Sequence, residues 1–500
     1  MDVKHIIPLF VALPLAGAFI TALMGKKVKS LPDVVGSIIT FALLCLSLYA
    51  VKVTSVHDAL VYSVGGWQPP IGIALVLDGL TSFMLVTVDA VAFAIAIYSI
   101  NYMEKFTSKD KFYTLFLLML AGMNGVVISG DIFNLFVFLE IASVASYALV
   151  AFGTERHELE AAFKYGVMGT VGSLFLLIGI VFLYSYTSTL NLADMAVVLA
   201  QKGFVHVGVM VTVLFVMGFG LKAALVPFHA WLPDAHPSAP APISAMLSGV
   251  LIKSLGIYTL CRIFYNVIGI NATLSSILLA LGTLSMVIGV FLAIGQWDLK
   301  RLLAYHSISQ IGYVILGIGL GTPLGILGGL FHLFNHSVFK SLLFLNSGAL
   351  EYATGTRDLQ KMGGLAKKLP VTAATNLIAS MSIAGIPPFN GFWSKLIIIM
   401  ACVQAGRYGY AFWAVLASIL TLASFMKVMK YAYYGSLKEC WKTVKEVPFS
   451  MIFAMVLLAG ICVIGGVLIY PSVNEVFLKE ATDALVMGKE YASLLMRGNI

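Results

Sequence analysis

Charge is scarce in this 500-residue chain: 11% of residues are Asp, Glu, Lys or Arg, against 60% apolar residues and a mean hydropathy of +0.96. Soluble domains carry about a quarter charged residues, so that class is excluded and a polytopic membrane protein is implied. The five cysteines, Cys45, Cys261, Cys402, Cys440 and Cys462, show no CxxC spacing. That pattern argues against a disulfide framework and against a zinc or iron–sulfur site. Also missing are a phosphate-cradling GxxxxGK loop, an AxA-type cleavage site following the first apolar run, and any low-complexity tract or linker that would mark a soluble domain. Ile6 to Met24, followed by Lys26, Lys27 and Lys29, therefore reads as a retained first span. The expectation is a single membrane domain over 1–500, without direct ATP use and without a cofactor of its own.

The chain does contain runs of hydrocarbon length. A span needs about 20 mostly apolar residues, and fourteen such runs occur near 4–24, 32–53, 74–101, 112–129, 132–152, 162–186, 205–228, 241–265, 272–296, 302–320, 324–350, 371–400, 408–433 and 449–470. With Met1 outside, Lys26, Lys27, Lys29, Lys105, Lys109, Lys111, Arg156, Lys300, Arg301, Arg357, Lys361, Lys367, Lys368, Lys438, Lys442 and Lys445 all fall on the inner side, as the positive-inside rule requires. The formal net charge of +8 is thus a topology signal, and nucleic acid is not expected as a partner. The 54–73 loop and the weakly amphipathic 190–202 stretch are then external. The tail after Pro471 reads as a short surface helix.

Two spans carry prolines next to lysines. The seventh holds Lys222 and Pro227, and the twelfth, five spans later, holds Pro387, Pro388 and Lys395. Proline-interrupted spans in corresponding positions point to repeated halves, and an odd offset inverts one against the other. The expected repeats are 112–265 and 272–433, with helices seven and twelve broken. Proline is frequent in membrane helices in any case, which is the plain alternative.

Ionisable groups inside spans carry the functional reading, because each is costly in hydrocarbon unless it meets a partner or water. Glu140 is the lone acid of its span, and Lys222 is a candidate partner. Lys253 stands alone in ISAMLSGVLIKSLGIYTL, about 16 Å along the helix from Pro242. His332, His336 and Lys340 recur at four-residue steps and share one helix face. With Lys395 they form a series of titratable groups along spans five, seven, eight, eleven and twelve. Burial moves a lysine towards neutrality and a nearby carboxylate moves it back, while histidine both accepts and donates, so the series suits a proton relay.

Plainer readings exist for each group. Lys222 and Lys340 are long enough to snorkel to the interface, and the histidines suit hydrogen-bonded packing. HxxxH at 332–336 lacks the glutamate of a zinc protease motif, so no metal is expected. Asp78, Asp89 and Lys164 read as structural or interfacial charges near helix ends. In WDLKRLLAYHSISQIGY, Asp298, Lys300, Arg301 and His306 read mainly as helix-end anchors. A stand-alone solute transporter would need a concentrated polar or aromatic pocket, and an intramembrane enzyme a nucleophile or metal set. Neither is visible.

The runs LKAALVPFHAWLPDAHPSAPAPISA, DLKRLLAYHSISQIGY, FHLFNHSVFKSLLFL and GIPPFNGFWSK resemble the antiporter-like subunits shared by respiratory complex I, Mrp-type cation/proton antiporters and energy-converting membrane-bound hydrogenases. The likeness extends from the third span to the thirteenth and is strongest to the Mrp D-type subunit and its hydrogenase or sulfur-reductase counterpart. It implies fourteen helices, two inverted five-helix repeats and a polar axis at the membrane midplane. It also implies roles for Glu140, Lys222, Lys253, His332, His336 and Lys395 as relay residues. The implied setting is a multi-pass, non-redox subunit in a prokaryotic plasma membrane, surrounded by lipid and by further membrane subunits, some antiporter-like. Its implied cargo is the proton, with sodium as the alternative.

Overall fold

A computed structural model describes residues 3–106, 108–203 and 205–493; Met1, the reference for the orientation above, lies outside them. Among the described residues, eleven helices are long and apolar enough to cross a membrane. The chain runs through α1 (Leu9–Met24) and α2 (Leu31–Thr54), then a hairpin of β1 (Ala59–Ser63) and β2 (Ala74–Asp78), into α3 (Gly79–Tyr102), α4 (Lys109–Ile128), α5 (Ile132–Val150) and α6 (Arg156–Thr187). The short α7 (Leu192–Lys202) precedes α8 (Val205–Ala223), α9 (Leu232–Ser238), α10 (Ala241–Val267), α11 (Ala272–Ile294), α12 (Leu299–Gly319) and α13 (Pro323–Thr354). Then follow α14 (Pro370–Ala384), α15 (Asn390–Gln404), α16 (Tyr408–Tyr433), α17 (Phe449–Ile469) and the tail helix α18 (Glu480–Val486).

The core lies on α3, α4, α10, α12 and α13, while α1, α2 and α17 keep most of their surface outward. α13 falls outside the eleven because His332, Asn335, His336, Ser337, Lys340, Ser341, Asn346 and Ser347 lower its hydropathy. All eight are fully buried, so this helix meets protein and not lipid. The run read as beginning the third span at 74 is partly strand. Residues Ala74–Asp78 pair with β1, and helix begins only where the Asp78 carboxylate accepts the Thr81 amide hydrogen at 2.7 Å. The tail helix is not merely superficial, since Leu478, Ala481 and Leu485 are buried and α18 packs on α3.

Two backbone patterns occur twice. At the first break, Leu225 N donates to Gly220 O (2.9 Å) and Ala224 N to Leu221 O (3.2 Å), with Ala224 at φ +55°. At the second, Ile386 N donates to Met381 O (3.0 Å) and Gly385 N to Ser382 O (3.0 Å), with Gly385 at φ +79°. The start of α5 is likewise tied to the segment after α6, with Ile132 N on Leu190 O and Leu192 N on Gly130 O. The start of α12 is tied to the segment after α13 in the same register, with Leu299 N on Arg357 O and Leu359 N on Trp297 O. Asp131 and Asp298 cap these two helices through the amides of Asn134 and Arg301.

One face of the bundle collects the basic loops. Lys26, Lys29 and Lys109 line a common groove, Lys105 donates to Tyr352 O (3.0 Å), Arg357 to Pro237 O (2.6 Å) and Lys438 to Gln360 O (2.8 Å).

Candidate functional site

Glu140 sits midway along α5 and meets α8 at its last turn. Lys222 Nζ lies 3.6 Å from Glu140 Oε1 and donates to Ser143 Oγ at 3.0 Å. From α6, the Ser173 hydroxyl donates to the same Glu140 carboxylate. Lys222 therefore does not snorkel. The end of α8 suits a cation, because the terminal carbonyls of a helix carry partial negative charge. The freed groups at the break find partners: Trp231 Nε1 donates to Leu221 O (3.0 Å), and Val226 N to Ser285 Oγ (2.9 Å). Glu140 keeps about a third of its side chain exposed on the outer wall of the chain, between the apolar, exposed Val137 and Val144.

Beside Lys222, Ala223 abuts Gly256 of α10 so closely that a Cβ at 256 would sit 2.6 Å from it. This crossing brings α8 next to Lys253, one turn back. Sequence periodicity suggests an ordinary helix here, yet α10 widens into π turns over Leu247–Leu251, Lys253–Tyr258 and Arg262–Val267. Wide turns leave carbonyls without their usual donors and recur at functional sites. Lys253, fully buried, donates to two of them, Ser248 O (2.5 Å) and Gly249 O (2.7 Å). Among the described residues it has no carboxylate partner.

From there the polar groups continue into the second half. Ser248 and Ser307 share a hydrogen bond of 2.6 Å, and Gln310, one turn further along α12, contacts His332 Nε2 through Oε1 at 3.2 Å. His332 Nδ1 meets Ser394 Oγ at 2.9 Å, and Ser394 adjoins Lys395. His332 and His336 stack with ring centroids 6.3 Å apart. Both ring nitrogens of His336, and Lys340 Nζ, are buried without a protein hydrogen-bond partner. Lys340 does not snorkel either. Lys395 donates to Ile383 O (2.8 Å) and Ser418 Oγ (3.4 Å), and lies 4.6 Å over the Tyr313 ring. A cavity lined by Gly385, Phe392, Lys395, Leu396, Val415 and Ser418 opens beside it.

Several readings from sequence need correction. Asp89 is not near a helix end: it is fully buried halfway along α3, held by Asn124. His306 is more than a helix anchor, being fully buried with Nε2 2.8 Å from Ser424 Oγ. His236, which does not stand out in LPDAHPS, is fully buried against Phe344 (ring centroids 5.5 Å), the ring over which Lys340 lies at 5.7 Å. A histidine two turns inside an apolar helix was the available signal for His306; for His236, in a Pro-rich connection, there was none. Asp78 is structural, capping α3 and pairing with Arg262 at 2.8 Å. Lys164 is half-exposed and paired with Glu160 (2.8 Å) and Asp234 (3.3 Å).

Buried lysines and histidines thus extend between two helix breaks of matching hydrogen-bond pattern. Residues 129–421 match the family described as "NADH:quinone oxidoreductase/Mrp antiporter, TM", and residues 63–116 match "NADH-Ubiquinone oxidoreductase (complex I), chain 5 N-terminus". The chain belongs to the NADH:quinone oxidoreductase/Mrp antiporter family. Within the family it is 37% identical to the N-type subunit of the NADH-quinone oxidoreductase of Desulforudis audaxviator, covering 92% of this chain and 95% of that one. It is 36% identical to the D-type subunit of the Na(+)/H(+) antiporter of Alkalihalophilus pseudofirmus, covering 85% and 86%. Among solved structures, a chain of the Mrp complex from Dietzia sp. superposes with a TM-score of 0.92 at 27% identity over 99% of this chain and all of that one. A chain of the archaeal membrane-bound sulfane sulfur reductase superposes with a TM-score of 0.91 at 32% identity over 98% and 100%.

Proposed function

We propose that this chain is an antiporter-like, proton-translocating subunit of a multisubunit membrane complex, either an Mrp-type cation/proton antiporter or a redox-driven ion pump. The relatives and solved neighbours are subunits of such assemblies, and none of them supports a stand-alone solute transporter. The chain is then non-redox itself, driven by a neighbouring module or an opposing gradient, in a prokaryotic plasma membrane. Fourteen crossings follow if α13 and the two broken helices, α8 with α9 and α14 with α15, join the eleven. The doubled break and the doubled interhelix tie support inverted repeats over 112–265 and 272–433.

The observation that carries the reading is the succession of buried titratable groups through both halves: Glu140 with Lys222, then Lys253, then His332 and His336, then Lys395. In hydrocarbon each buried lysine costs about 3 kcal/mol unless it is neutralised or hydrated, and the orphan nitrogens of His336 and Lys340 call for water, which carries protons. Proton entry takes place beside the Glu140–Lys222 pair, transfer runs through Lys253 and the histidines, and exit lies near Lys395. Moving a charge against 100 mV costs about 2.3 kcal/mol. An ion pair near 4 Å is worth about 4 kcal/mol in a protein-like dielectric before desolvation, so opening and closing the Glu140–Lys222 pair is of the right size to gate loading. The exposed edge of Glu140 fits a neighbouring membrane subunit, which would cover a charge that lipid does not tolerate.

Reconstitution of the whole complex in vesicles with a pH-sensitive dye tests the reading. Coupled proton movement must fall by on the order of a hundredfold in Glu140→Ala while the complex still assembles; full transport in an assembled Glu140→Ala complex would overturn it.

A further inference from the structure

Among the described residues, Asp89 is the one acid with no exposed surface, and the relay does not use it. It lies on α3, and Asn124 of α4 bridges it to α1: Asn124 Nδ2 donates to Asp89 Oδ1 at 3.1 Å and to Phe10 O at 3.3 Å. The Phe10 carbonyl is available because the residue four positions on is Pro14, which has no N–H to close the helical bond. Asp89 Oδ2 is buried with no protein partner, and so is Asn124 Oδ1.

Among the described residues, no cation answers the carboxyl. None of the charged or titratable groups on the surrounding helices pairs with it: Asp33 of α2 is bound to Lys109 of α4 (2.9 Å), Tyr113 of α4 donates to Ala96 O (3.1 Å), Lys253 of α10 donates to the Ser248 and Gly249 carbonyls, and on α13 Lys340 lies over Phe344 while it and His336 have no protein hydrogen-bond partner. An ionised carboxylate here would be an uncompensated charge in hydrocarbon, which costs several kcal/mol. A metal cation would have only Asp89, the Asn124 amide and one carbonyl to hold it. A proton needs a single oxygen, removes the charge and gives Oδ2 a hydrogen to donate.

We propose that Asp89 is a second proton-binding site, set between α1, α3 and α4 apart from the lysine and histidine axis and oriented by Asn124 on the carbonyl that Pro14 releases. Its ligand is the proton, and the site stands whether or not the relay reading holds.

Infrared difference spectroscopy on the purified whole complex, exchanged between H2O and D2O, tests this without any transport readout. The wild type should show the C=O stretch of a protonated carboxyl that is lost in Asp89→Asn, retained in Glu140→Gln, and moved to higher frequency in Asn124→Ala, where the donated hydrogen bond is gone. Exchanging sodium for choline salts should leave it unmoved. Spectra identical in wild type and Asp89→Asn, or a sodium-dependent carboxylate band lost in Asp89→Asn, would overturn the proposal. If Asp89→Asn does not fold, Asn124→Ala decides: a shifted band supports the site and an unshifted one refutes it.

Discussion

At the first helix break Lys222 faces the Glu140 carboxylate at 3.6 Å; at the second, Lys395 faces no acid and rests on the Ile383 carbonyl, the Ser418 hydroxyl and the Tyr313 ring. The backbone is nearly the same at both places, down to the register of the freed carbonyls. What differs is the counter-group. A carboxylate holds a lysine in its charged form, and losing that carboxylate strands the charge. Carbonyl and hydroxyl oxygens accept a hydrogen from either protonation state of a lysine, so in the proposed relay the second lysine would be the one that releases its proton. The difference suits loading at one end and release at the other.

The largest effect expected is at the pair. Glu140→Ala or Lys222→Ala should lower coupled transport by on the order of a hundredfold, the scale of a lost proton-transfer group, with the complex still purified intact. The double variant should be no worse than either single one, because the pair acts as a unit; additive losses would break the comparison.

Between the two breaks, Lys253→Arg should slow proton pumping almost as much as Lys253→Ala. Arginine retains the charge and the carbonyl contacts but does not release a proton near neutral pH. Wild-type rates in the arginine variant would mean that charge alone is needed.

Making the second break resemble the first sharpens the contrast. Ser418→Asp puts an acid beside Lys395 and should slow turnover by roughly tenfold, equivalent to about 1.4 kcal/mol, with a smaller effect on assembly. An unchanged rate would show that Lys395 does not release protons.

The smallest effects are structural. Ala224 adopts a left-handed conformation that costs a non-glycine residue about 1 kcal/mol, and its counterpart is already Gly385. Ala224→Gly should therefore raise the melting temperature of the detergent-solubilised complex slightly. Gly385→Ala should lower it, since the new Cβ would also approach Lys395 Cδ to 2.9 Å. Opposite signs at the two positions test whether the breaks are equivalent.

Much of this was legible before any fold was known. Hydropathy located the long apolar helices, because a lipid-exposed helix must be apolar along its length. The prolines marked both breaks, because an imide cannot donate and its ring clashes within a helix. The isolated charges stood out for the same reason that they are expensive. α13 was placed as a span, but its burial was hidden: a helix surrounded by protein is released from the need to be apolar, and its polar residues look ambiguous in one dimension.

Composition and the spacing of prolines, lysines and histidines thus determined the class, the broken helices and the candidate relay, since each follows from the cost of a single residue in hydrocarbon. Pairing was left to the tertiary structure. Why Lys395 has a carbonyl and a hydroxyl where Lys222 has Glu140, and that Asp89 meets Asn124, which also reaches a carbonyl freed by Pro14, depend on groups on different helices. Such partners are set by how helices cross, and a crossing leaves no periodicity in the sequence of either helix.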